Sequence, residues 1–130
     1  GYTNFVKNTH ERVSLLSFLT YLGKNGVVKK SLILKIIRSL VMRICVAVFR
    51  ADKALEVNEM MNYLVIIFDR DIIVRDVGDF MEEENESDEE DRRFIKDSMT
   101  ELAKCKSKDC PGITNRTMFS LQDLIRKYNN

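Results

Sequence analysis

The chain has 130 residues, of which 45% are hydrophobic and 32% charged, and its net charge is +1. This length and composition fit a single domain, residues 1–130, and exclude a chain that is disordered throughout. One proline and 5 glycines disfavour a turn-rich sandwich or barrel and favour helices. One histidine and 3 cysteines are too few for a structural zinc site with four ligands.

The first two predicted helices lie on either side of a glycine-containing turn. Apolar residues at helical spacing over 13–22 mark the first helix, and Gly23 and Gly26 end it. The second begins near Ser31, whose hydroxyl we expect to cap it. Residues 32–50 are the most apolar stretch of the chain, but three basic residues interrupt it. We therefore predict a buried helix there and no membrane span.

A third and a fourth helix are predicted before the acidic segment. Asp52 is expected to cap the third, whose apolar side extends to Phe68. Residues 72–77 include aliphatic residues with strand propensity. In this helical context we prefer a short fourth helix that ends near residues 78–81.

Two more helices complete the predicted fold. Apolar positions over 94–102 mark the fifth, the Pro111-Gly112 pair breaks the chain, and residues 118–128 mark the last. Thr114 or Asn115 is expected to cap this last helix. Because successive helices joined by short turns pack as antiparallel neighbours, we predict an all-α stack or bundle of about five to six helices.

Charge is divided unevenly along the chain. Residues 82–91 contain eight acids and no base, whereas residues 1–53 contain ten bases and two acids. We interpret 82–91 as a solvated acidic loop between helices. Ser87 precedes three acids, which suits an acid-directed kinase, and we predict that its phosphorylation would act on a partner rather than on folding.

Five bases flank the predicted junction between the first two helices. If these bases are exposed, they would contact phosphates or an acidic protein face. The alternative is that they only form a rim of charges that keeps the protein soluble. No aromatic-interleaved basic motif accompanies them, so sequence-specific RNA recognition is unsupported. We predict a protein-binding site, with RNA as the second ligand, at Lys24, Lys29, Lys30, Lys35 and Arg38.

The sequence contains no recognisable catalytic, cofactor or metal site. His10 is the sole histidine, and no Ser or Cys is placed by sequence to be its nucleophile, so we expect an exposed, inert imidazole. Asn85 and Ser87 are not spaced as in a calcium loop with its central Gly and terminal Glu. We predict that the protein is not an enzyme and has no cofactor and no metal ligands.

The cysteines and the N-terminal residues favour an intracellular protein. We expect Cys45 to be a small core residue. Cys105 and Cys110 could form a bridge, but an odd cysteine count without a visible signal peptide favours free thiols. Two glycosylation-type triplets, Asn85-Glu86-Ser87 and Asn115-Arg116-Thr117, instead favour an extracellular protein. We predict a cytoplasmic location, with the nucleus as an alternative.

Two segments of the chain carry a family resemblance. In residues 18–28 (FLTYLGKNGVV), an apolar helix ends near an aromatic residue and a Lys-x-Gly-like turn, and residues 32–40 (LILKIIRSL) start the next helix. In residues 116–125 (RTMFSLQDLI), an Arg precedes a Phe, and Leu-Gln-Asp and two aliphatic residues follow. In this order they resemble the middle domain of the translation initiation factor four-gamma family. Residues 59–68 are similar to a helix between these segments.

The resemblance implies antiparallel helix pairs stacked as HEAT-like repeats, without an active site. Members of that family are scaffolds in messenger RNA translation or decay, and they bind DEAD-box helicases, other translation factors and sometimes RNA. The match covers the latter part of a complete middle domain. Residues 82–91 look like an insertion, and Lys127-Tyr128-Asn129-Asn130 stands where basic and aromatic residues usually follow the last helix.

Two other functions stay open from the sequence. A secreted or viral helical bundle, cytokine-like or of the apoptosis-regulator type, would bind a receptor or a helix groove. A nucleic-acid-binding domain would use the bases of the N-terminal half, and its affinity would fall steeply with salt.

Overall fold

The computed structural model describes the backbone of residues 2–74 and 86–129, and the side chains of residues 8–74 and 87–129. This part of the chain is all-α and contains no strand, which confirms the predicted fold class. A short 3-10 turn, Ala51–Lys53, precedes the third helix. The helices are α1 (Tyr2–Lys24), α2 (Lys30–Ala47), α3 (Ala54–Ile67), α4 (Arg70–Ile73), α5 (Glu86–Lys104) and α6 (Asn115–Asn129).

The long helices alternate in direction along the chain. Helices α1, α3 and α6 run one way, with α3 in contact with both of the others. Helices α2 and α5 run the opposite way and are in contact with each other. The contacts that define these directions are Thr9–Glu59, Thr20–Ile66, Thr117–Asn58 and Phe68–Tyr128 for the first group, and Ser31–Asp88, Lys35–Asp91 and Cys45–Ser98 for the second.

The hydrophobic core lies where α2, α3, α5 and α6 meet. Each of these helices has one apolar side at the 3.6-residue period, and burying one large aliphatic side chain contributes about 1.5–3 kcal/mol. The apolar spacing predicts most of these inward sides, although Leu55 in α3 and Phe119 in α6, which share that spacing, are 71% and 68% exposed. The largest fully buried side chains are those of Ile33, Leu34, Ile37, Ile44, Met61, Leu64, Ile67, Ile73, Ile95, Met99, Leu121 and Leu124.

Two predicted N-caps are wrong. Helix α2 begins without a side-chain cap, and Ser31 lies inside it, where its hydroxyl donates to Asp88 Oδ1 at 2.8 Å. Helix α3 also begins without a side-chain cap, since Asp52 lies in the preceding 3-10 turn and pairs with Arg50 at 2.8 Å. In both cases the side chain is engaged by another side chain, so its oxygen does not accept a hydrogen bond from the backbone N–H groups at the start of the helix.

Two other predicted features agree more closely. Thr114 caps α6, because its Oγ1 accepts a hydrogen bond from the Thr117 backbone N–H at 3.2 Å. The predicted short fourth helix is α4, which begins at Arg70 because the Asp69 carboxylate caps it by accepting from the Asp71 N–H at 3.0 Å. It ends at Ile73 and Val74 is extended, so the predicted continuation of the helix through Val74 is wrong. The rest of that prediction, residues 75–81, lies outside the described residues.

Cys105 and Cys110 form a disulfide, so the prediction of two free thiols is wrong. The Cys110 N–H donates to the Lys106 carbonyl at 2.9 Å, and the resulting turn brings the two cysteines together. Cys45 is free, as predicted, but it is half-buried and packs against the core without being one of its fully buried residues. Burial raises the pKa of the Cys45 thiol, and a hydrogen bond with Ser98 opposes part of that rise.

Reducing the disulfide is expected to lower the free energy of unfolding by about 2 kcal/mol, because a bridge across so short a loop removes limited entropy from the unfolded chain. Urea unfolding with and without a reductant measures the difference, and the Cys105→Ser/Cys110→Ser double variant should not respond to reductant. Alkylation of denatured, unreduced protein should label Cys45 alone. Labelling of all three cysteines would contradict the bridge.

Candidate interaction surface

The basic and acidic segments meet between α2 and α5. Ser31, Lys35 and Arg38 lie at i, i+4 and i+7 on one side of α2, so they face the first turns of α5 together. Lys35 Nζ lies 2.6 Å from Asp91 Oδ2, and Arg38 Nη1 lies 2.6 Å from Asp91 Oδ1. We call Lys35, Arg38 and Asp91 the Asp91 clamp.

Asp91 is the buried member of this clamp. Its side chain is 1% exposed, whereas those of Lys35 and Arg38 are 50% and 39% exposed. Burial acts to raise the pKa of Asp91, but the hydrogen bonds from Lys35 and Arg38 outweigh it and hold that pKa below 3.8. The Arg38 guanidinium also lies 4.9 Å from the centre of the Phe94 ring. The carboxylate is therefore ionised at neutral pH and holds α2 against α5.

The predicted acidic loop, residues 82–91, is wrong for residues 86–91, which form the start of α5. Negative side chains at a helix N-terminus are favourable because of the helix dipole, and Asp88 and Asp91 have partners on α2. Residues 82–85 lie outside the described residues. The i, i+4, i+7 spacing of bases in α2 was the signal in the sequence that could have indicated this pairing.

Ser87, the predicted phosphorylation site, lies next to the clamp. It is near the start of α5, and its Oγ accepts a hydrogen bond from Lys35 Nζ at 3.0 Å. A phosphate on Ser87 would lie beside that ammonium and near the positive end of the α5 dipole. Phosphorylation there stays a prediction, and its effect would now include the contact between α2 and α5.

The other three predicted site residues, Lys24, Lys29 and Lys30, lie together at the turn between α1 and α2. All three are exposed, and their side chains have no ion pair or hydrogen bond with any other described residue. Gly26 adopts φ +73° in this turn, a conformation that glycine takes without steric cost. The structure therefore divides the five predicted residues into three free cations and two that are engaged in the clamp.

Exposed apolar side chains accompany these lysines. Tyr21, Val27 and Leu32 are exposed and alternate with the three lysines along the chain. Tyr21, which lies one helical turn before Lys24, is the single aromatic residue of this set, and one aromatic residue does not make an aromatic-interleaved basic motif. We call Tyr21, Lys24, Val27, Lys29, Lys30 and Leu32 the turn surface. Apolar groups among unpaired cations are typical of surfaces that bind other proteins.

In residues 2–74 and 86–129, no group of three or more His, Cys, Asp or Glu side chains is placed to hold a metal ion. His10 is exposed on α1. None of the helices in these ranges has both the length and the apolar character needed to cross a membrane.

The class of protein that these observations define is an all-α protein whose helices pack in contact with one another. Comparisons with protein-family models, with curated proteins and with solved structures gave no match. The turn surface and the helices that carry it are therefore the features of the molecule from which a function can be inferred.

Proposed function

We propose that the chain is a non-enzymatic helical scaffold in messenger RNA translation or metabolism, and that its turn surface binds a protein partner. The partner is a DEAD-box helicase or another translation factor that presents an acidic face with apolar residues. The observation that carries this proposal is the set of three exposed lysines that have no ion pair with any other described residue and lie among three exposed apolar side chains. This function belongs in the cytoplasm, with the nucleus as the alternative.

The directions of the helices support a HEAT-like stack. In stacked antiparallel hairpins, helices of one layer run alike and those of the other layer run opposite, with each pair in contact with its neighbours. Helices α1, α3 and α6 would form one layer, and α2 and α5 the other. In a solenoid of this kind the turns between helices line the edges, which is where the turn surface lies.

The segments that resemble the four-gamma middle domain also have a structural role compatible with that family. The Lys-x-Gly-like turn joins α1 to α2 through Gly26. In α6, Leu121 and Leu124 are buried while Gln122 and Asp123 are exposed. The resembling segment of α6 thus contains two core positions and two exposed positions that are available for a partner.

The chemistry of the turn surface suits an acidic protein partner. Solvated lysines raise the rate of encounter with a negative surface and disfavour wrong partners, while burial of apolar side chains supplies most of the affinity. Because Lys24, Lys29 and Lys30 have no described intramolecular partner, binding would not first have to break an internal ion pair.

Charge reversal tests this proposal directly. The Lys24→Glu/Lys29→Glu/Lys30→Glu variant should bind a purified DEAD-box translation initiation helicase at least about tenfold more weakly than the unaltered chain, because like charges would then face each other. Fluorescence titration measures the Kd, and circular dichroism checks the fold.

The matched control reverses three exposed lysines at the end of α5 and just after it, in Lys104→Glu/Lys106→Glu/Lys108→Glu. This variant carries the same change in net charge and should bind within about threefold of the unaltered chain. No binding of the helicase by the unaltered chain, or equal losses in both triple variants, would contradict the proposal.

RNA is a second ligand that one observation favours. Tyr21 is an exposed aromatic beside three free cations, and single-stranded nucleic acids bind such combinations by stacking and phosphate contact. Binding of a single-stranded RNA oligonucleotide should then weaken steeply between about 50 and 200 mM salt, and further in Tyr21→Ala. A salt-independent response would remove RNA as a ligand.

The disulfide favours the alternative of a secreted or viral helical bundle, because such bridges persist mainly in oxidising compartments. Asn115, in a glycosylation-type triplet, is exposed at the start of α6. Asn85, in the other triplet, lies outside the described residues. Mass spectrometry of native material distinguishes the two locations, since a glycan on either asparagine contradicts a cytoplasmic scaffold.

A further inference from the structure

An apolar ridge lies on the outward side of α2, away from the turn surface. Met42 and Val46 in α2, and Phe49 just after it, are spaced at i, i+4 and i+7 and are 44%, 71% and 64% exposed. The opposite side of α2 is buried through Ile37, Leu40 and Ile44. We call Met42, Val46 and Phe49 the α2 ridge.

A cleft of about 370 Å³ separates the ridge from α3. Its lining is mainly apolar, and its charged residues are the bases Arg43, Arg50 and Lys53 with the single acid Glu56. Arg50 and Lys53 have ion pairs with neighbouring acids, whereas Arg43 is exposed and has no ion pair with a described residue. We call this side of the ridge the basic flank.

A second cleft, of about 440 Å³, separates the ridge from α5. Its floor is apolar and includes Val48 and Leu102, and its charged residues are Asp97 and Glu101. Glu101 lies 3.9 Å from Lys104, whereas Asp97 is exposed and has no ion pair with a described residue. We call this side the acidic flank. The ridge thus has opposite charge on its two sides.

The opposite charges lie at matching heights along α2. Helices α2 and α5 run in the same direction, and the hydrogen bonds Ser31–Asp88 and Lys35–Asp91 fix their register. Asp97 is therefore level with the turn of α2 that contains Arg43. One helical turn further along α5, Glu101 lines the same cleft as Phe49. Phe49 immediately precedes Arg50 in the sequence.

We propose that the α2 ridge is the interface of a homodimer in which the α2 helices of two copies pack side by side and parallel. A two-fold axis along the helix direction exchanges left and right but preserves height. Each basic flank then faces an acidic flank, with Arg43 opposite Asp97 of the partner subunit and Arg50 opposite Glu101 of the partner subunit.

Charge selects this arrangement over the antiparallel one. A two-fold axis perpendicular to α2 would place basic flank against basic flank and acidic against acidic, which is unfavourable. The apolar ridge supplies the surface to be buried, and a second copy is the occupant that satisfies both flanks at once, each contact being made twice. This inference does not depend on the function proposed for the turn surface.

Sedimentation equilibrium of the full chain tests the interface. We expect a reversible dimer whose dissociation constant rises at least about tenfold in Val46→Glu, since the charge would lie in the centre of the contact. The control is Phe119→Glu, at an apolar position on α6 that is 68% exposed; it should dimerise like the unaltered chain. A monomer at every concentration, or equal weakening by both variants, overturns the proposal.

A charge exchange tests the parallel arrangement separately. Arg43→Glu and Asp97→Arg should each weaken the dimer, and the double variant should restore it, because the introduced charges again face opposite charges across the axis. Both side chains are exposed, so the fold should tolerate the changes. Failure of the double variant to restore the dimer overturns the arrangement. The triple lysine variant of the turn surface should still dimerise.

Discussion

Replacing Gly112 by alanine is expected to lower the free energy of unfolding by about 2–3 kcal/mol. A Cβ atom there would lie 2.9 Å from the carbonyl oxygen of Arg50, and 3.0 Å from both the carbonyl oxygen of Ala47 and the Cα of Val48. These neighbours are backbone atoms, so no side-chain rotation relieves the contact. The Gly112 N–H also donates to the Val48 carbonyl at 2.8 Å, which holds the connection between α5 and α6 against the end of α2.

Gly26→Ala is the matched control for this substitution. Gly26 has φ +73° and nothing within 4 Å of a Cβ built on it, so alanine there meets only the backbone penalty of about 1–2 kcal/mol. Urea unfolding of both variants, with equal m-values, gives the comparison. A Gly112→Ala protein within about 0.5 kcal/mol of the unaltered chain would contradict the close packing at this site.

Removing the charge of Asp91 is the second change expected to have a large effect. Asp91→Asn should lower the free energy of unfolding at pH 7 by about 2 kcal/mol, because two charge-assisted hydrogen bonds lose their ionised acceptor. The loss stays below that of breaking a fully buried pair, since Lys35 and Arg38 are partly exposed and regain water. Chemical unfolding at neutral pH measures it.

The same clamp predicts a pH dependence. The pKa of Asp91 is lower in the folded chain than its ordinary value of 3.8, so folding favours the ionised carboxylate. The resulting stabilisation is complete above the unfolded pKa and is lost as the pH falls through the folded pKa. The difference in stability between the unaltered chain and Asp91→Asn should therefore shrink below about pH 4.

The control for the clamp is Glu90→Gln, an exposed position next to Asp91 on the same helix. It should change the free energy of unfolding at pH 7 by less than about 0.5 kcal/mol. If the effect of Asp91→Asn stayed constant down to strongly acidic pH, Asp91 would not be held ionised by Lys35 and Arg38.

Much of the fold could be predicted because helices depend on local periodicity. The spacing of Ile33, Ile37 and Ile44 in α2, and of Leu121 and Leu124 in α6, indicated the buried sides directly. The N-caps of α2 and α3 were less predictable. A Ser or Asp near a helix start caps it only if no better partner is near, and the partner of Ser31 is 57 residues away in the chain.

The candidate site was harder to predict because its charges are paired across the fold. Counting charges along the sequence treated the bases of α2 and the acids of α5 as two independent surfaces. Lys35 and Asp91 meet only because α2 and α5 pack together in one core, to which they contribute the buried residues Ile37 and Ile95, and no local pattern specifies that packing. The exposure of Lys24 and Lys29 followed more simply from their place beside the Gly26 turn.

The three cysteines share one cleft, because Cys45 lines it together with the bridged Cys105 and Cys110. A free thiol beside a disulfide can undergo thiol–disulfide exchange, a reaction in which the thiolate is the attacking species. The pKa of Cys45 is raised by burial, so its thiolate is scarce at physiological pH. Burial of Cys45 thus protects the Cys105–Cys110 disulfide from exchange, even though the third cysteine lines the same cleft.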